Sequence, residues 1–345
     1  METPRQGKQK GQEGYGQGRA AIAEGDDVLL DEDAIVAQLL ACLEAPDYRP
    51  PTLPVVAVEL MSLSQRPDVA IKDIVLLLER DSLIAGRVLK VACSALYSNA
   101  VKITSLRDAT MRLGLITIRD LVMEITMNLR VFKSPDYSDT MELLRQHATA
   151  TARLCRIVSK YTAIEAEFSF MAGLLHDVGI AGALLALSDN KGRRKAPPEL
   201  ISIWPAVDRV HQRAGELMAS HWALPPDIRF ALSAHHQVLI QGHAHPLAAT
   251  VAIANEIAIE LGAGVTPKAN ESSDGIRGDA RDCLGAHTEV DRSAAPTLAQ
   301  ACKALGLEEA TLSLIREEGK KMLATLGEAE ASTVRRAGER SPGAR

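Results

Sequence analysis

The stretch Leu174-Leu175-His176-Asp177-Val178-Gly179-Ile180 decides how the rest of the chain is read. It sets one imidazole beside one carboxylate inside an otherwise apolar run. Adjacent residues on a helix diverge by about 100°. His176 and Asp177 are therefore expected to straddle a helix shoulder and face one pocket. Further histidines lie on either side at intervals of about one helix plus one loop. They are His147 in RQHATATARL, His211 in RVHQRAGEL, and His235 and His236 in SAHHQV. Each is expected on a separate helix, and bundles build metal sites by aiming ligands inward from facing helices. Imidazole with carboxylate suits a divalent Zn, Mn or Fe ion, which could activate a water against a phosphoester.

Working outward, apolar residues recur at spacings of three and four along nearly the whole chain, and strand-like alternation is almost absent. The first helical block starts near Val28 and stops at Ala45-Pro46, and a second runs from Val55 to Leu63. Ile71 to Ala95 holds two helices with a cap at Asp81-Ser82. Ser105 and Asp108 read as a capping box opening a helix that carries Met111, Leu113, Leu115, Ile118, Leu121, Val122 and Ile125. Helices are expected near 140–160, 165–187, 207–221, 226–237 and 246–261, with one or two more over 297–326; Val101 to Ile103 is too short to count as a strand. The fold class is all-α: a multi-helix bundle with an additional N-terminal helical subdomain.

Composition narrows the function. The chain has 345 residues and a net charge of −5, with 46% hydrophobic residues and 3% aromatics. The acidic balance and the shortage of stacking aromatics argue against nucleic acid as a partner. No run reads as the roughly 20 apolar residues that cross a bilayer, and the N-terminus lacks a signal-peptide core. No membrane association is expected, and the localisation is expected to be cytoplasmic. Five scattered cysteines never spaced as CxxC argue against disulfides and thiolate zinc sites. Residues 1–27 are expected to be a disordered tail and 329–345 another, with 263–296 a flexible polar insertion. Lys191, Arg193, Arg194 and Lys195 form a basic loop, read as solvated unless it folds over the pocket. His221, His243, His245 and His287 follow no pattern and are expected at the surface.

The order His, His-Asp with a following glycine, His, His-His resembles the HD superfamily of metal-dependent phosphohydrolases, and more closely its HDOD branch of signalling output domains. Three further stretches carry the resemblance: 53–98 (LPVVAVELMSLSQRPDVAIKDIVLLLERDSLIAGRVLKVACSALYS), 105–124 (SLRDATMRLGLITIRDLVME) and 222–236 (WALPPDIRFALSAHH). The resemblance implies an HDOD domain over 28–262, with an N-terminal helical part at about 28–133 and an HD-like part at about 138–262. C-terminal helices over 297–328 are expected to pack on it.

Departures from the catalytic pattern shape the functional expectation. Where catalytic relatives place a further metal-binding Asp, the matching position in VAIANEIA is Asn255, which carries no charge. The lysine that follows the motif in the catalytic branch is Ile180 here. The Gly-Tyr-Pro motif of the cyclic di-GMP phosphodiesterases is absent, and Gln237 follows the His pair where that branch has a carboxylate. The expected function is a bacterial signal-transduction output or scaffold module, acting by protein or small-ligand binding rather than by catalysis. Its metal set, His147, His176, Asp177, His211, His235, His236 and Asn255, is expected to be vestigial. No cofactor is expected, with Mn, Fe or Zn as the alternative. A signalling protein is the expected partner, with a nucleotide or cyclic dinucleotide as the candidate ligand. The rival reading is a metal-dependent phosphohydrolase or phosphodiesterase acting on such a nucleotide, with His176 and Asp177 as its catalytic candidates.

Overall fold

A computed structural model describes residues 31–94, 97, 103–164, 166–189, 198–240, 243–265 and 298–339. The expected tail at 1–27, the basic loop 191–195, His287, most of the 263–296 insertion and residues 101–102 lie outside the described residues.

The N-terminal elements are α1 (Glu32–Leu43), α2 (Val55–Ser64), α3 (Ile71–Leu78), α4 (Ser82–Ala92) and α5 (Leu106–Thr126), which runs into a π-helical turn, Met127–Val131. Their starts follow from short polar side chains placed where backbone N–H groups lack partners. Asp81 caps α4 by accepting from Leu83 N and Ile84 N, each at 3.0 Å. Ser105 Oγ accepts from Asp108 N at 3.1 Å, while the Asp108 carboxylate reaches one residue further back than a capping box would, to Thr104 N at 3.0 Å. The helix that Ser105 opens is not continuous. Gly114 has φ +73, a left-handed conformation that costs glycine little, and the kink leaves Met111 61% exposed while Leu113, Ile118 and Val122 stay buried.

The bundle proper consists of α6 (Ser138–Ser159), α7 (Ala166–Leu175), α8 (Val178–Asp189), α9 (Leu200–His221), α10 (Pro226–Ala234) and α11 (Pro246–Glu260). A two-residue hairpin, Leu239–Ile240 with His243–Ala244, joins α10 to α11. The single helix expected over 165–187 is therefore two helices. His176 and Asp177 occupy the turn between them rather than a helix shoulder. α9 starts at Leu200, ahead of the expected 207, and carries Pro205 inside. The lost backbone bond is tolerated because Ile203, Ala206, Val207 and Val210 are buried along the same helix. α10 stops at Ala234, ahead of the expected 237.

Two large cores and a small cluster of Leu43, Ala186 and Ala214 hold the described residues together. The larger joins α1–α5 to α6–α10 through residues such as Leu39, Leu60, Leu78, Ile118, Met123, Leu144, Leu184 and Val207. With so few aromatics, aliphatic side chains and alanines fill it, each fully buried Leu or Ile contributing about 1.5–3 kcal/mol. The first helix, α1, packs mainly on α9 and α8. Arg209 donates to Glu32 at 2.9 Å and Asp33 at 2.7 Å, and Trp222 Nε1 donates to Pro51 O at 2.8 Å. The smaller core lies on the other side of α6, where Leu154, Val158, Val251, Ile253 and Ile257 meet Leu312 and Ile315. These last two belong to α13 (Glu309–Glu339), which follows α12 (Leu298–Leu305). α13 continues to Glu339, into the stretch expected to be a tail, where Ala, Glu and Arg favour helix.

The stretch Phe168–Ser188 is long and apolar enough to cross a membrane, contrary to the expectation that no such run exists. It lies mostly buried inside the bundle, and the turn at His176 and Asp177 breaks it in two.

Candidate metal centre

Four segments and one following helix converge on Asp177. His147 comes from the middle of α6, His176 and Asp177 from the α7–α8 turn, and His211 from α9. His235 and His236 follow immediately after α10, and Asn255 comes from α11. The α8–α9 approach is set by glycine. A Cβ on Gly179 would stand 1.8 Å from His211 O and 2.6 Å from Gly215 N, so only hydrogen fits there. That backbone contact brings Asp177 Oδ1 to 3.8 Å from His211 Nε2.

The four buried imidazoles share one orientation. Their Nδ1 atoms bond to backbone carbonyls: His147 to Ala263 O at 2.8 Å, His176 to Gly173 O at 2.8 Å, His235 to Leu232 O at 2.9 Å, and His211 to Asp208 O. A carbonyl oxygen only accepts, so each Nδ1 carries the proton. In the neutral ring each Nε2 then presents a lone pair. Those lone pairs face one another and the carboxylate. His147 Nε2 is 3.1 Å from His176 Nε2, and His211 Nε2 is 3.3 Å from His235 Nε2, while the ring of His236, outside the anchored four, sets its Nε2 3.1 Å from His211 Nε2 and can donate to it. Asp177 Oδ2 lies 3.4 Å from His147 Nε2 and 3.2 Å from His176 Nε2, while Oδ1 lies 3.3 Å from His235 Nε2. Acceptors facing acceptors at such distances require a cation between them, either a proton or a metal ion.

The two ends of the cluster differ in how they take a proton. Burial disfavours charge on His176, but the neighbouring Asp177 carboxylate outweighs it and raises the imidazole's pKa. Burial would likewise raise the Asp177 carboxyl, yet His176 and the imidazoles of His147 and His235 hold it well below the carboxylate range. At the other end burial dominates. It lowers His235 to about 4 and, together with the charges of its histidine neighbours, His236 to about 2. Both stay neutral near pH 7 and keep their ring nitrogens available.

The donors divide into two sets that share Asp177: His147, His176 and Asp177 on one side, and Asp177, His211, His235 and His236 on the other. Asn255 approaches His176, and its Oδ1 is buried with no hydrogen-bond partner, an oxygen that could serve a cation. Imidazoles anchored through Nδ1 on carbonyls are the usual preparation of metal ligands. Imidazole and carboxylate donors suit Zn, Mn or Fe. By these three features the residues fit a divalent ion. All seven residues named from the sequence thus meet in one place. The cluster is also nearly closed: His147, His176, His211 and His235 are 0–3% exposed, and the Asp177 side chain is 14% exposed.

A family model described as HDOD domain matches residues 51–238. The chain belongs to the HDOD domain family. This HDOD chain is 28% identical over 227 residues to an uncharacterised protein of Treponema pallidum (strain Nichols), a match covering 63% of this chain and 43% of that protein. The chain thus spans less than half of that relative's length. Among solved structures, an HDOD domain protein of unknown function from Geobacter sulfurreducens superposes with a TM-score of 0.58 at 24% identity, covering 88% of this chain and 98% of that one. A protein of Marinobacter aquaeolei VT8, provisionally described as a signal transduction protein, gives 0.60 at 18% identity over 88% and 66%. At these identities the likeness is one of fold.

Sequence reasoning missed several polar groups of this HDOD domain. His245, expected at the surface, caps α11 by accepting from Ala248 N at 3.2 Å, and its ring lies 4.4 Å from that of Phe230. The signal was its place directly before Pro246, a residue favoured at a helix start. The carbonyl anchors Gly173, Asp208 and Leu232 were legible only as residues three positions before each histidine. The buried pair Arg119 and Asp120 was announced by two charges inside the apolar run 115–123.

Proposed function

We propose that this HDOD chain is a signal-transduction output or scaffold module whose His/Asp cluster holds a divalent cation and works by binding rather than by turnover. One observation carries the reading: imidazole lone pairs, their tautomers fixed through Nδ1, converge on a shared Asp177 carboxylate. A bound Mn, Fe or Zn ion would supply positive charge and Lewis acidity there. The chain's own residues supply the rest. His147, His176 and Asp177 form one ligand set, His211, His235 and His236 with the same Asp177 the other, and Asn255 adds a carbonyl oxygen. One carboxylate among seven donors favours a single dication over two.

Binding rather than turnover is supported by the residues on the elements that supply the cluster. Ile180, standing where the catalytic pattern has a lysine, is 4% exposed and packs in the larger core. Arg145, Arg153, Arg209 and Arg213, on the helices that supply His147 and His211, are each paired with a carboxylate. The near-complete burial of the donors leaves little room for a phosphodiester. Signalling as the wider role is favoured by family membership and by the description given to the Marinobacter protein. A signalling protein is the partner this reading expects, with input reaching the cluster through the packing of the two helical halves.

The rival hydrolase reading has one observation of its own: two donor sets sharing a carboxylate match the layout of two-metal hydrolysis. Elemental analysis of protein purified without chelators, followed by assays on a cyclic dinucleotide with Mn or Fe, separates the two. Stoichiometric metal without turnover supports the binding module. Turnover abolished by His176→Ala and Asp177→Ala makes it a hydrolase, and protein that takes up no metal under any loading sinks both.

A further inference from the structure

His176, His211 and His235 all anchor Nδ1 on the carbonyl three residues earlier, Gly173, Asp208 and Leu232. Such an acceptor comes with the local backbone. His147 differs: its acceptor, Ala263 O at 2.8 Å, lies 116 residues away, just past the end of α11. What holds that carbonyl is a helix cap. Gly262 adopts φ +84, Gly262 N donates to Ile259 O at 3.0 Å, and Ala263 N donates to Ala258 O at 2.8 Å. These are the two nested bonds of a Schellman motif, which favours glycine at its left-handed position. Leu261 and Ala263 pack against the smaller core and fix the cap from outside. No heavy atom lies within 4 Å of where a Gly262 Cβ would stand, so a side chain there would strain the backbone without meeting a neighbour.

We propose that Gly262 is a positioning residue for the histidine cluster: its left-handed cap aims the Ala263 carbonyl at His147, which puts the ring proton on Nδ1 and the lone pair toward His176 and Asp177. The hydrogen bond made by one ring nitrogen selects which nitrogen carries the proton. Here that selection is made by a cap on another helix. The inference extends the cation-site reading, since the lone pair so exposed is the one a cation would use. The tautomer is nevertheless a property of the metal-free chain and can be read independently.

The test is ring-nitrogen NMR on the full-length, isotopically labelled chain with chelator present, at about pH 8, where ordinary imidazoles are neutral. The unmodified chain is expected to show His147 with its proton on Nδ1. Gly262→Ala should move His147 to a mixture or to the Nε2–H form while the rings of His176, His211 and His235 keep theirs. Gly262→Asn, which tolerates the left-handed backbone, should restore the original state. A Zn titration of the same proteins should show Gly262→Ala weakened by about 10–100-fold, the range for losing an outer-sphere partner. The proposal is overturned if His147 in the unmodified chain carries its proton on Nε2, a result that needs no variant to fold. It is also overturned if Gly262→Ala lowers stability and leaves the His147 tautomer untouched. A tautomer switch in a chain that binds no Zn would uphold the positioning role and sink the cation reading.

Discussion

Among the described residues, the buried polar cluster around Asp120 is closed internally and the one around Asp177 is not. At the junction of α5 with α6, Asp120 is 2% exposed and Arg119 4%. Arg119 donates to Asp120 Oδ1 through Nε at 2.9 Å and Nη2 at 2.6 Å, and through Nη1 to Ser64 Oγ at 3.3 Å. Arg156 donates to Asp120 Oδ2, and its guanidinium lies over the Phe170 ring at 5.0 Å. Donors meet acceptors throughout. Around Asp177, by contrast, acceptors meet acceptors. Burial of charge is common to both clusters, so burial alone does not mark a functional site. The mismatch of hydrogen-bonding sense is what sets the Asp177 cluster apart, because a buried acceptor left facing another acceptor is costly unless a cation resolves it.

The largest expected effect would sharpen that contrast. Asp120→Ala leaves Arg119 buried without its main counter-charge and should cost about 3–5 kcal/mol, as breaking a buried pair does. Urea unfolding should register the loss while the affinity for Zn stays unchanged. Asp177→Asn should behave in the opposite way. It removes the one carboxylate shared by both donor sets, and calorimetric titration with Mn or Zn should show affinity falling by at least about 100-fold. Equal loss of stability and equal retention of cation binding in the two variants would erase the distinction between the clusters.

Acid should separate the clusters next. His235 and His236 have pKa values lowered to about 4 and about 2, so in the native chain they take no proton at a pH where the unfolded chain does. The unfolded state therefore binds more protons once the pH drops below about 6.5, and stability falls with pH by about 1.4 kcal/mol per unit for each group. For His235 that loss continues down to about pH 4. His176 has a raised pKa, so its contribution is complete below about 6.5 and is lost as pH rises through its folded value. Asp177, lowered, loses its contribution as pH falls below the ordinary carboxylate value. Urea midpoints of chelated protein should decline from pH 6.5 toward pH 4, and His235→Gln should flatten that decline. A flat profile in the unmodified chain would remove the case for neutral imidazoles. The smallest effect concerns the cap on α11: His245→Ala should cost about 1 kcal/mol, as loss of an N-cap does, with cation affinity unaltered.

Much of the fold was legible because helical periodicity and short polar caps are local signals. Asp81 and Ser105 announced their helices, and Pro226 sits at the first position of α10 as its ring requires. Boundaries that depend on packing were not legible. The kink at Gly114 and the break at His176-Asp177 both fall where helical apolar spacing continues on either side, so the pattern alone predicts one helix. At the site, residue types and spacing named every member of the cluster. Their orientation came from elsewhere: the Gly179 contact with α9, the carbonyl anchors and the Ala263 cap involve backbone atoms that sequence pattern does not address.

The sequence by itself determined that this chain is helical and which histidines and carboxylate stand one helix apart. Periodicity, capping chemistry and residue identity are properties of short stretches, and they survive without knowledge of the whole. Only the tertiary structure decided that seven residues from separate segments meet, that their lone pairs point at one carboxylate, and that His147 owes its tautomer to a cap 116 residues away. Those facts depend on distances between segments, and distances between segments are fixed by packing.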